Sequence, residues 1–146
     1  MPDTAVHTTA TDLLNLSHAL WLREDGDGAL AAVDQALVFE PDAVAALMFR
    51  ASIHYVQNDW AAALADYDQA LALQPDNAVA RHLRGNLFLS MGALDHAIAD
   101  LDRAIALRPD LASAYAARGL AWREKRDVLR AWADFDRARC LEAAGF

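Results

Sequence analysis

The stretch HLRGNLFLSMGALDHAIADLDRAIALRPD, residues 82–110, decides the fold. Its apolar and small residues fall three and four apart, the spacing of one helical face. Met91-Gly92 breaks the pattern once, and Pro109 closes it because the residue before a proline is pushed out of the helical region. Two amphipathic helices, A and B, joined by a tight turn are expected. The unit then recurs. Pro41, Pro75 and Pro109 mark a constant period, i, i+34 and i+68, and each is followed by Asp. In the same frame Ala29, Ala63, Ala97 and Ala131 align, as do Ala36, Ala70, Ala104 and Ala138. Between them fall Val33, Tyr67, Leu101 and Phe135, and earlier in each unit come Ser17, Ala51, Gly85 and Gly119. Small residues on both helices let the backbones approach, while the large ones fill the space beside them. Turns are expected at Glu24–Gly28, Asn58–Asp59, Met91–Gly92 and Arg126–Asp127.

Four units follow, 10–43, 44–77, 78–111 and 112–145, read as a single domain 10–146 behind a leader at 1–9. The leader fits either a frayed segment or an extension of the first helix. Composition agrees with an all-α chain. Of 146 residues, 55% are apolar and 23% charged, with six Gly and four Pro. Alanine-rich, breaker-poor sequence favours helix, and β-branched residues are too few for an all-β protein. A net charge of −8 argues against nucleic acid and anionic membrane as partners. Cys140, the one cysteine, excludes an internal disulfide framework. The start shows no secretory signal and no apolar run is long enough to span a bilayer, so a cytoplasmic protein is expected.

At this period and with these small and large positions, the chain resembles the tetratricopeptide repeat family over nearly its whole length. Units 2 and 3 match that pattern well. Unit 1 is weakest, Ala143 replaces the closing Pro of unit 4, and Arg81 and His54 stand where the pattern favours other residues. The resemblance implies an α-α superhelix of eight helices whose helix A faces line a concave groove for a peptide or partner protein. Carried over by register, the groove positions are Leu14, His18 and Trp21 in unit 1 and Met48, Ser52 and Tyr55 in unit 2. Units 3 and 4 add His82, Asn86, Leu89 and Arg123. Ser52 and Asn86 are expected to serve peptide backbone. Some members of the family grip chaperone C-termini with Lys, Asn and Arg. This chain offers Met48, Ser52, Leu83, Ser113 and Ala117 there, or Leu14, His18, Phe49, Val79 and Leu83 one unit earlier. Neither set holds a carboxylate.

A second register carries charge. Arg50, Arg84 and Arg118 are each matched at i+16 by an acid: Asp66, Asp100 and Asp134. Unit 1 has Leu16 and Ala32 at those places. An Arg–Asp pair between the two helices of a unit is expected, with bidentate geometry.

Catalytic and metal signals are weak. The five histidines show no i, i+4 pair, and Asp25-Gly26-Asp27-Gly28 lacks the later ligands of a calcium loop. Cys140 has no suitably spaced His, and no phosphate loop or nucleophile elbow is present. Neither an enzyme nor a cofactor is expected. The C-terminal helix suggests an alternative role. Many members of the family add a solvating helix after the last repeat, and none is read here before Phe146. Val128, Trp132, Phe135 and Leu141 are therefore expected to form a self-association surface, for a dimer or a head-to-tail oligomer. Charge is uneven too: residues 1–43 sum to −7 and residues 112–146 to +2.

Overall fold

The computed structural model describes residues 7–145. The leader positions 1–6 and Phe146 lie outside the described residues. Eight helices follow in order: α1 Ala10–Leu22, α2 Gly26–Phe39, α3 Val44–Val56, α4 Trp60–Leu73, α5 Ala78–Ser90, α6 Leu94–Leu107, α7 Ala112–Glu124 and α8 Val128–Ala143. Among the described residues there is no strand. Each repeat supplies one pair, and the pairs fall where the sequence period puts them. The chain forms two compact units, one ending at Leu73 and one starting at Gln74.

Caps explain the helix bounds. Thr9 opens α1 with a reciprocal capping box to Asp12, so residues 7–9 precede the helix rather than extend it. Asp25, Asn77 and Asp127 each accept a backbone N–H three residues on. The run Asp25–Gly28 therefore starts α2. At the A–B turns Glu24, Asn58, Gly92 and Arg126 all take positive φ, between 61° and 73°. Each is followed by a residue whose N–H reaches back five positions, as in Asp25 to Leu20 and Asp127 to Trp122. That is the Schellman closure, repeated at the period of the sequence. α2 and α6 stop two residues short of Pro41 and Pro109, with Glu40 and Arg108 outside the helical region. With Ala143 in place of proline, α8 runs on to 16 residues.

In the first unit, α1 to α4, the core holds Ala29, Val33, Leu37, Ala46, Leu47, Ile53 and Ala70. Ser17, the small residue of unit 1, is fully buried, and its hydroxyl donates to the Ala29 carbonyl at 2.6 Å. In the second unit, α5 to α8, Leu101 and Ala104 pack with Ala114 and Ala117. Close approach needs glycine here. A Cβ at Gly85 would lie 2.9 Å from Leu101 Cγ, and one at Gly119 would lie 2.8 Å from Phe135 Cε1.

Candidate functional site

The arginines are placed first, because they fix the helix A faces. Arg50 Nε and Nη2 donate to the two oxygens of Asp66 at 2.8 and 2.7 Å. Arg84 grips Asp100 in the same way at 2.7 and 2.8 Å, and Arg118 grips Asp134 at 2.8 and 2.8 Å. All three expected pairs form, and all are bidentate. The carboxylates are buried, 5%, 4% and 6% exposed. The remaining guanidinium nitrogen reaches a second acid that the sequence reading missed. Arg50 Nη1 donates to Asp34 of α2 at 2.8 Å, and Arg118 Nη1 to Asp102 of α6 at 2.7 Å. Each of these two arginines thus joins its own helix B to the helix B before it. The hydrogen bond to Asp66 holds Arg50 well above the usual guanidinium range, against the opposing effect of burial. Asp134 does the same for Arg118. Arg81, an oddity in the repeat pattern, donates to Asp100 at 3.2 Å and to the Pro75 carbonyl.

The groove candidates divide between the units. In the first, Leu14, Trp21 and Met48 are half-buried against the Val33–Leu47 core, so part of each ring or chain serves packing. His18 is exposed and meets Phe49 edge-on, with ring centroids 4.0 Å apart. Tyr55 is half-buried. Ser52 donates its hydroxyl to the Met48 carbonyl at 3.0 Å and lies 3.3 Å from the Tyr67 hydroxyl. Its hydroxyl proton is thus engaged within the helices. Burial raises the Tyr67 hydroxyl above its ordinary value, and the Ser52 bond offsets part of that.

In the second unit His82, Asn86 and Leu89 are half-buried on α5, and Arg123 is exposed on α7. The Asn86 side-chain nitrogen lies 3.2 Å from His82 Nε2. Burial pushes the His82 imidazole below its ordinary 6.5. Unfolding restores that value, so below about pH 6.5 the unfolded chain takes up a proton that the folded chain does not. Stability is therefore expected to fall as the pH drops through about 6.5, and His82→Gln should flatten the fall. Thermal unfolding on either side of that pH checks this, and an equal drop in both proteins would remove His82 from the account.

On α8 the expected self-association residues separate. Val128 and Trp132 are exposed, Trp132 by 67%. Leu141 is 6% exposed and buried with Ala131, Asp134 and Ala138 on the side toward α7. Phe135 is half-buried over Gly119. Leu141 thus belongs to the interior of the unit, a correction that follows from its three-residue spacing from Ala138, while Phe135 covers Gly119 and keeps part of its surface open. Leu129, which the sequence reading did not single out, is exposed beside Val128. Among the described residues no group of three or more His, Cys, Asp or Glu could hold a metal ion. None of the helices among these residues is long and apolar enough to cross a membrane.

The tetratricopeptide repeat sequence model matches residues 16–87 and 52–120. The chain belongs to the tetratricopeptide repeat family. No curated protein matches it by sequence. Solved structures do. A crystal structure of MamA superposes with a TM-score of 0.84 at 24% identity, covering 93% of this chain and 80% of that one. MamA from residue 41 to its end, from Desulfovibrio magneticus RS-1, gives 0.83 at 22%, covering 92% and 76%. A tetratricopeptide repeat protein from Parabacteroides merdae ATCC 43184 gives 0.78 at 24%, covering 92% and 57%. At these identities the likeness is one of fold.

Proposed function

We propose that this chain is a non-catalytic protein-interaction module, an adaptor or scaffold, working in the cytoplasm. Its partner is a peptide or a protein taken on the helix A faces. The observation that carries this reading is the chemistry of those faces. Trp21, Met48 and Tyr55 in the first unit and Leu89 in the second are large, neutral and only half-buried. The arginines beside them are committed to carboxylates. What remains suits apolar side chains, with Asn86 and the exposed His18 ring at hand for polar groups.

A peptide library selected on the immobilised chain tests it. Enriched peptides are expected to lose binding by about tenfold or more with Trp21→Ala plus Tyr55→Ala, the loss of an aromatic anchor. They should bind the Trp132→Glu variant as they bind the parent. Peptides that bind the double variant equally would overturn the reading.

A second reading is favoured by a different observation. Trp132 is exposed next to Val128 and Leu129, which are more than two-thirds exposed themselves. Contiguous apolar surface of this kind marks an interface, so self-association through α8 is the alternative role.

A further inference from the structure

We propose that the outer face of α8 docks head to tail on the outer face of α1 in a second copy, with Arg139 opposite Asp12 and Trp132 over Leu16 and Ala19. The proposal rests on the self-association reading and gives it a register and a partner face.

The template is the junction inside the second unit, where α6 packs against α7. There Ile98 is buried, Asp102 receives Arg118, and Ile105 packs against the cluster of Leu101, Ala104, Ala114 and Ala117. A shift of one repeat places Trp132, Asp136 and Arg139 at the positions of Ile98, Asp102 and Ile105. Trp132 and Arg139 are exposed and Asp136 is half-buried. With Phe135 they line one shallow depression.

The matching face comes from α1. The positions that α3 and α7 turn to the preceding helix B include Ala46 and Ala114, Arg50 and Arg118, and Ile53 and Ala121. In α1 these become Asp12, Leu16 and Ala19, all exposed. Two exchanges on the α8 face, Trp132 and Arg139, answer changes on the α1 face, while Asp136 keeps the acid of the template. Where Ile105 packs on the cluster that holds Ala114, Arg139 would face Asp12. Where Asp102 takes an arginine from the next helix, Asp136 is held by Arg139 of its own helix at 2.6 Å, and Leu16 replaces the missing arginine. Where Leu30 packs on the cluster that holds Ile53, the larger Trp132 would meet the smaller Ala19. Thr9 bonds only Oδ2 of Asp12, so the capping box survives an arginine on the other oxygen. The sums of −7 over residues 1–43 and +2 over residues 112–146 steer the two ends together. A twofold pairing of α8 with itself would give Asp12 and the acidic N-terminal end no role.

A head-to-tail contact leaves one face free at each end of a pair, so further copies add until a ring closes. Light scattering across loading concentrations should show a mass rising above 15.9 kDa. Leu16→Glu blocks the α1 face and Trp132→Glu blocks the α8 face. Both side chains are about half exposed or more, at 49% and 67%, so the fold tolerates them. Each variant alone should stay at the mass of one chain. An equimolar mixture should form a species of twice that mass, because each variant keeps the face that the other lacks. A variant with reduced helical circular dichroism is replaced by Arg139→Glu, which sets like charges opposite each other and should weaken association about tenfold or more.

A wild-type mass constant at one chain would overturn both the self-association reading and the register. Association that survives Leu16→Glu but not Trp132→Glu would keep that reading and sink the head-to-tail register. So would a mixture that fails to pair.

Discussion

Replacing Asp134 by alanine is expected to destabilise the second unit by about 3 kcal/mol, the scale of breaking a buried ion pair from one side. The side chain removed is a buried carboxylate that receives both Nε and Nη2 of Arg118. What it leaves is a guanidinium, four-fifths buried, with Asp102 as its one remaining acid. The loss therefore exceeds that of a surface salt bridge, which is about 0–1 kcal/mol. In a chain of this length it corresponds to a drop in Tm of about 6–12 °C. A double-mutant cycle with Arg118→Ala isolates the pair, since the second mutation removes the orphaned charge. The coupling should be about 2 kcal/mol, as for other contacting charges in one network. A coupling near zero, with each single change costing under about 0.5 kcal/mol, would mean the two charges act independently.

Gly119→Leu is expected to cost as much, about 3 kcal/mol, through overpacking. A Cβ there would stand 2.8 and 2.9 Å from Phe135 Cε1 and Cδ1, closer than van der Waals contact permits. Relief requires the ring to leave its place over Gly119, on a helix packed against α7. The partner substitution reverses the effect. Phe135→Ala opens a cavity that the introduced leucine side chain fills, so the double variant should regain more than half of the lost stability, as volume-conserving exchanges do. Urea unfolding of the three variants measures this. A double variant that behaves as the sum of two independent losses would show that the glycine is needed for some reason other than the ring.

The architecture was legible because several signals repeat at one period. Pro41, Pro75 and Pro109 mark the ends of helix B, and the aligned Ala and Gly positions mark the close approaches. The Arg–Asp pairs were legible for the same reason, since the i, i+16 spacing recurs in three units and fails in both members in the first. The second acid of each clamp was equally written in the sequence, as Asp34 and Asp102 stand at i−16 from Arg50 and Arg118. It was missed because a single acid already satisfies the simplest pair. Function was less legible, because a face is defined by angle as well as by spacing. Leu141 and Trp132 are both large apolar residues of α8. Leu141 falls three after Ala138 and turns inward, while Trp132 falls one after Ala131 and turns out. Ser52 shows the same limit for polar groups. Spacing puts it on helix A, but a hydroxyl within reach of the carbonyl four residues back bonds to it.

The positive-φ turns have a bearing on how such a chain can change over time. Glu24, Asn58, Gly92 and Arg126 occupy one backbone conformation with four different side chains, and no Cβ is crowded at Gly92. Glycine and asparagine adopt that conformation readily, whereas glutamate and arginine hold it under strain. All four residues are exposed and lie outside the helices. Each turn is thus a place where robustness can be gained or given up without redrawing either face that would meet a partner. Tolerance to mutation at these turns is set apart from the helix faces in every repeat, and selection can adjust one while holding the other still.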